Sequence, residues 1–436
     1  YNYVSWSFRK APKFFDIVNN ITMPSSGSVT VNHNLGSTPG VIFLKQTDGG
    51  NNWFVYHRSN GSGKYLWLDS STSVQSYTQI FQYVTDTSFS TRTNTAGNYV
   101  AYIFAHNNND GGFGPDSDQD IIKCGSYTGD GGAGTTEVNL GFEPQWILVK
   151  ASSAADSWYI IDNMRGWGTH NNRANDAYLY ANATNAEATG GVLDITSTGF
   201  RTTLYSNANV NGREYIYMAI RRGPLAEPES ATNVFHVNTR TLNNSTISTN
   251  FAADMSLQAA TSFSGQDRFI EDRLRGFATD PSSTSGNAML KTNSTSAETS
   301  NQYPTVVNVF NNSYEEGNQN STLAAVTWMW KRAPGYFDVV AWTGAAGSLS
   351  SVKHNLGVKP DLVILKYRDI SDSWYVYNSA TTGVLTLDSS NATLGSTNYM
   401  ASTTATDLNV SLVSNPANSP IAYLFATVAG VSKISS

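Results

Sequence analysis

The amino-acid sequence predicts an all-β protein made as a tandem array of β-sandwich (jelly-roll) modules. The first observation behind this is internal repetition. Asn34-Leu35-Gly36, followed by Pro39, Lys45 and Trp53, returns at unchanged spacing as Asn139-Leu140-Gly141 with Pro144, Lys150 and Trp158. It returns again as Asn355-Leu356-Gly357 with Pro360, Lys366 and Trp374. Self-similarity at fixed spacing marks one structural unit built several times. The second is that short apolar runs, such as Val41-Ile-Phe-Leu44, Trp146-Ile-Leu-Val149 and Leu362-Val-Ile-Leu365, are bounded by turn residues, as buried strands are. The third is that sustained helical periodicity is lacking, with Asp267 to Phe277 as the best short helix candidate.

In chain order, each module opens, turns, runs through its buried strand and closes. Lys10-Ala-Pro-Lys-Phe-Phe-Asp16 matches Arg332-Ala-Pro-Gly-Tyr-Phe-Asp338, and each opens a module. In Asn-Leu-Gly-x-x-Pro, Asn and Gly tolerate left-handed angles and Pro presets the next bend, so the motif is a turn that aims the following strand. Lysines 45, 150 and 366 end that strand, where a lysine can snorkel to water or pair with a carboxylate. Trp53-Phe-Val-Tyr56 and Trp374-Tyr-Val-Tyr377 are aromatic and β-branched, as a pleated surface requires. The recurring tryptophans 53, 158 and 374 are expected between the sheets of their own sandwich. Aromatic strands close the modules: Tyr99-Val-Ala-Tyr-Ile-Phe-Ala105, Tyr215-Ile-Tyr-Met-Ala-Ile220, Ala325-Val-Thr-Trp-Met-Trp330 and Ile421-Ala-Tyr-Leu-Phe-Ala426.

These landmarks divide the chain into 1–8, the closing strand of an upstream module, and modules at 9–106, 120–222, 228–330 and 331–428. The third lacks Asn-Leu-Gly. It keeps Leu274-Arg275-Gly276 and Asn293-x-Thr295-x-Ala297-Glu298, which echo Met164-Arg165-Gly166 and Asn182-x-Thr184-x-Ala186-Glu187, and it is expected to be degenerate. Asn107 to Gly114 and Gly223 to Pro228 are linkers. At Lys331-Arg332-Ala333-Pro334 one module runs directly into the next, which predicts a stiff pair. Because the chain starts with Tyr1 inside an apparent strand, further sequence is expected upstream.

Composition narrows the function. Charged residues are 14% and aromatics 12% of the chain. A net charge of −6 argues against bulk nucleic-acid binding, which needs a basic face. Cys124 stands alone, so no disulfide framework or thiolate metal site is expected, and no stretch is apolar enough to predict membrane insertion.

Candidate sites are few. His33 and His354 recur before the turn, but the equivalent position is Val138, and the histidines have no zinc-ligand spacing. Asp69 and Asp388 each precede a Ser-Ser pair, and repetition suits caps and turns better than a glycosidase pair. Asp116-x-Asp118-x-Asp120 matches a calcium loop in spacing but lacks the bidentate Glu, so a solvated linker is expected. No nucleophile elbow or phosphate-cradling loop is present. No catalytic residue, metal or cofactor is therefore expected. Trp167 and Trp342, each in a glycine-flanked loop, are the candidates for an exposed ligand contact.

Taken together, the Asn-Leu-Gly-x-x-Pro turn, the strand ending in Lys, the Trp strand, Arg-Gly with Asn-x-Thr-x-Ala-Glu, and the aromatic closing strand resemble a repeated module of tailed-bacteriophage virion proteins. That module is usually described as a domain of unknown function and occurs in tail-fibre-like and appendage proteins. The resemblance implies lectin-like sandwiches on a virus particle and a tail fibre or appendage that reaches the host surface. Its partners would be other virion proteins, further copies of the chain (a trimer) and a host surface glycan or protein. The alternatives are a capsid decoration or whisker protein, a polysaccharide-degrading tailspike, and a host-encoded adhesin.

Overall fold

The structure is a computed structural model that describes residues 3–132, 136–168, 176–204, 206–240, 246–262, 264–276, 287–301, 306–316, 324–343, 349–381, 383–390, 402–411 and 419–435. Its regular structure is antiparallel strand, with short 3-10 turns as the helical content among the described residues. The chain divides into two compact units. Unit 1 is Tyr1–Ile161, Tyr178–Leu193 and Phe200–Arg222; unit 2 is Asp162–Ala177, Asp194–Gly199 and Gly223–Ser436.

In unit 1, the first module pairs a large sheet with a small one. The large sheet runs Phe15–Met23, Gly97–Ala105, Pro39–Gln46, Phe54–His57, Lys64–Trp67 and Gln75–Ser76 in spatial order. The small sheet is Val29–Asn32, Ser88–Thr91 and Tyr83–Val84. The opening strand lies beside the closing strand, with Phe15 opposite Phe104. Alternation then divides the side chains. Tyr56 meets Phe81, which meets Phe89 of the small sheet, and these form the module's own core. The second module repeats the plan. Ile122–Thr128, Glu214–Arg221, Pro144–Ala151, Trp158–Asp162, Ala177–Tyr180 and Ala188–Thr189 make the large sheet, and Tyr127, Phe200, Tyr215 and Tyr217 pack its interior.

The strand Pro39–Gln46 is buried on nearly every residue, although a half-covered sheet should alternate. The other face is covered by the second module. Val41, Phe43, Val55 and Phe104 share one continuous core with Trp146, Leu148, Ile216 and Met218. The same face is used on both modules, since Phe43 and Leu148 stand at the same step of the repeat. The two large sheets therefore pack face to face with a small sheet outside each. This doubles the core available to a module of about one hundred residues, a size at which a single core is modest.

Unit 2 repeats the arrangement. Its first large sheet is Phe235–Arg240, Ala325–Trp330, Met255–Ala260, Arg268–Asp272, Asn287–Lys291 and Thr299–Asn301, and its small sheet is Thr246–Ser248, Ser313–Glu316 and Val306–Val309. The segment expected to be degenerate thus carries both sheets. Its missing turn is supplied by Asn250, at φ 63°, five residues before the buried strand. Gly357 holds that offset, and Gly36 and Gly141 stand three residues before their strands, at φ 78°, 72° and 78° in that order. Asparagine is the side chain that best tolerates this left-handed region. The last module has Phe337–Ala341, Pro420–Phe425, Leu362–Tyr367, Tyr375–Asn378 and Val384–Thr386 in one sheet, and Leu349–Lys353, Asp407–Ser411 and Ser402–Thr403 in the other.

Some expectations change. Asp267 to Phe277 is not a helix: Arg268–Asp272 is a strand, and a single 3-10 turn, Arg273–Arg275, follows it, while Phe277 lies outside the described residues. Asp272 caps that turn and also binds the Arg275 guanidinium, which explains the repeated Arg-Gly motif; Asp162 and Arg165 do the same. Tyr3 to Phe8 does not form a strand. Phe8 packs edge-on against Phe104 and Trp146 instead.

Candidate functional site

The repeated residues first have to be separated into those that hold the fold and those left over. In the turn, Gly36, Gly141 and Gly357 supply the left-handed angle, and Pro39 and Pro144 begin their strands while Pro360 precedes one. The opening landmark is tied to this turn. Asp16 accepts the Asn34 amide at 2.7 Å and pairs with Lys10 at 2.6 Å. Asp338 accepts the Asn355 amide at 2.7 Å and pairs with Arg332 at 2.7 Å. His33 and His354 each accept the amide of the leucine two residues on through Nδ1, a turn-holding role.

The carboxylates are also structural. Asp69, Asn182, Asn293 and Asp388 all accept a backbone amide at the entry to the facing strand, that of its first residue at Trp158 and Arg268 and of the residue just before it at Trp53 and Trp374. Asp120 is held by Lys123 at 2.7 Å and by the amides of Asn109 and Gly111, so it anchors the Asn-Gly linker instead of lying in solvent, while Asp116 and Asp118 are exposed. No metal-binding group of His, Cys, Asp and Glu occurs among the described residues.

Two of the lysines do not snorkel. Lys150 and Lys366 are fully buried, and each ammonium donates to two carbonyls of the following turn, Ala151 and Ala154 or Tyr367 and Ile370. Burial pushes both pKa values down to about 8.

The tryptophans diverge most. Trp158 does not point between its own two sheets. It reaches into the facing module, and its indole N–H donates to the Trp67 carbonyl at 2.8 Å. Trp374 does the same to the Lys291 carbonyl at 2.9 Å. Around each indole the same two backbone bonds recur. In unit 1, Asp156 donates to Ser71 and Val74 to Ser152; in unit 2, Asp372 donates to Thr295 and Glu298 to Arg368. Both module pairs therefore dock in one way, with one tryptophan as the dowel.

Trp53 has the same place in the repeat and no such socket. It is partly exposed and stacks on Tyr102 with ring centroids 6.0 Å apart and planes at 29°. Ile17, 37% exposed, lies opposite Tyr102 in the register, so both are on one face. The Lys45 ammonium stands 5.9 Å from the indole centroid and donates to the Asn51 carbonyl. Module three places exposed Arg268 at the corresponding position, so the fold does not require an indole there. A part-open indole flanked by Tyr, Ile and a cation can stack on a flat C–H face, such as that of a sugar ring, or on an apolar peptide segment.

Of the two expected exposed contacts, one is buried and one is half-buried. Trp167 is fully buried and its amide donates to the Asp162 carbonyl, which rules out surface stacking. Trp342 is half-buried against the core of the last module, and its indole N–H is buried without a partner. Sequence reasoning missed Trp53 because all three tryptophans occupy one repeat position and only the neighbouring module distinguishes them.

A family model described as a domain of unknown function (DUF7483) matches residues 4–224 and again 231–436. Each match spans one face-to-face pair, and the chain belongs to this family. No curated protein and no solved structure matches it.

Proposed function

We propose that this member of the DUF7483 family is a structural protein of a bacteriophage particle, a tail fibre or similar appendage that contacts the host surface. The observation that carries this reading is the doubled pair. Two copies of one docking scheme give a chain of firmly cored, weakly charged units, which suits a part that must project without collapsing. The sequence resemblance set out above supplies the setting. The aromatic face at Trp53 supports the contact role, because that indole is partly exposed and docks no facing module. Surfaces of this kind gain from repetition, since a second contact on a tethered unit is effectively intramolecular.

The test is to locate the chain in purified particles by labelled antibody and electron microscopy, and to ask whether the purified chain competes with particles for host cells. Label on a tail appendage together with competition supports the reading. Label on the head supports a capsid decoration protein instead. Absence from particles refutes both.

A further inference from the structure

Both pairs dock with the same backbone bonds, yet the side chains between the sheets differ in kind. In unit 1 the contact is apolar around one histidine. His57 is buried and its Nε2–H donates to the Tyr217 carbonyl at 3.0 Å, beside Val41, Val55, Leu148 and Met218. In unit 2 the equivalent of His57 is Asp272, and the equivalent of Met218 is Tyr423. The Tyr423 hydroxyl donates to Asp272 at 2.7 Å. Arg275, fully buried, bonds Asp272 at 2.6 Å, Glu298 at 3.3 Å and the Tyr423 hydroxyl at 3.1 Å. Glu298 stands where unit 1 has Val74, and its amide donates to the carbonyl of Arg368, which stands where unit 1 has Ser152.

We propose that these positions are a pairing code. The shared backbone scheme lets any first-type module dock on any second-type module, and the code restricts docking to module one with two and three with four. Module one against four would bury the Tyr423 hydroxyl without Asp272 or Arg275, and would set Arg368 against Val74. Module three against two would leave Asp272, Arg275 and Glu298 facing Met218 and Ser152. Removing one partner from a buried ionic group is strongly unfavourable, and fixing register and partner is the best-attested use of such groups. The kind of partner each face accepts is therefore a module of this chain carrying the complementary set.

The test uses the full chain, unfolded and refolded at dilute concentration, then resolved by size-exclusion chromatography with light scattering. One variant gives unit 2 the code of unit 1: Asp272→His, Arg275→Asn, Glu298→Val, Arg368→Ser and Tyr423→Met. A second gives unit 1 the code of unit 2: His57→Asp, Asn60→Arg, Val74→Glu, Ser152→Arg and Met218→Tyr. The native sequence is expected to return one monomeric species. Each variant, now carrying two identical codes, is expected to return several-fold more exchanged oligomer, with weakened exchange protection of the Asp156 and Asp372 amides. Recovery as clean as that of the native chain in both variants overturns the proposal. So does failure of both to regain β structure, because a code must be transferable between docking sites that share one backbone scheme.

Discussion

Replacing Trp374 with alanine removes the dowel of unit 2. Trp374 is fully buried, and its indole N–H satisfies the Lys291 carbonyl. Deleting a core tryptophan costs about 3–5 kcal/mol. A carbonyl left without its donor adds up to ~1–3 kcal/mol, less where water enters. For a unit of this size each kcal/mol moves Tm by roughly 2–4 °C, so a loss near 4 kcal/mol lowers the transition of unit 2 by roughly 8–16 °C. Trp158→Ala should do the same to unit 1, where the indole is 2% exposed. Trp53→Ala should cost less, about 1–2 kcal/mol, because the part-exposed indole loses its stack on Tyr102 and only a partial packing against the core. Differential scanning calorimetry of the three variants reads this directly. If Trp53→Ala destabilises as much as the other two, the dowel argument fails.

Acid should weaken unit 1. Burial holds His57 down to about 4 from its ordinary 6.5, so the folded chain keeps it neutral where the unfolded chain takes up a proton. The stability this represents is full above pH 6.5 and is lost as pH falls from there through 4, by roughly 3 kcal/mol at the low end; denaturant titrations across that window should show the slope, and His57→Asn should reduce it, leaving the share of His106, which burial also holds down to about 4. Gly141→Ala and Gly357→Ala meet no neighbour within 4 Å, so their cost is the backbone strain at φ 78° alone, about 1 kcal/mol by chemical denaturation, whereas Asn250→Gly should be neutral or slightly stabilising. Arg332→Ala should cost ~3–5 kcal/mol because it strands buried Asp338, whereas Lys10→Ala at the matching position, where the lysine is 56% exposed, should cost under ~1 kcal/mol.

Much of one module was legible in the sequence, and the pairing was not. The left-handed turn, the buried strand and the aromatic closing strand leave local signatures, because backbone angle and alternation are local properties. The intact first half of the third module was hidden by chemistry that the backbone does not distinguish: Asn250 performs the turn that glycine performs elsewhere, and Arg268 stands at the strand entry where tryptophan stands elsewhere. The equivalence of Asp69, Asn182, Asn293 and Asp388 was invisible for the same reason, since acid and amide oxygens accept one amide equally well. At residues 331–334 one module abuts the next directly. Arg332 is buried there, taking Asp254 through its amide and Asp338 through its side chain. The second buried face could not be read, because Val41, Phe43 and Leu148 look like core residues whichever sheet covers them. Partner choice between modules depends on residues far apart in the chain, such as Asp272 and Tyr423, and no local pattern joins them.

The central claim is that the folding unit is a face-to-face pair, and it is tested most directly by comparing residues 4–224 and 231–436 with single modules 9–106 and 331–436 as separately expressed chains. Both pairs should be soluble monomers with one cooperative transition and slow exchange at the Asp156 or Asp372 amide. The single modules, each with the sheet face that its partner covers left open, should aggregate or lack a cooperative transition. A single module that unfolds cooperatively as a monomer, with stability matching that of its pair, would contradict the account.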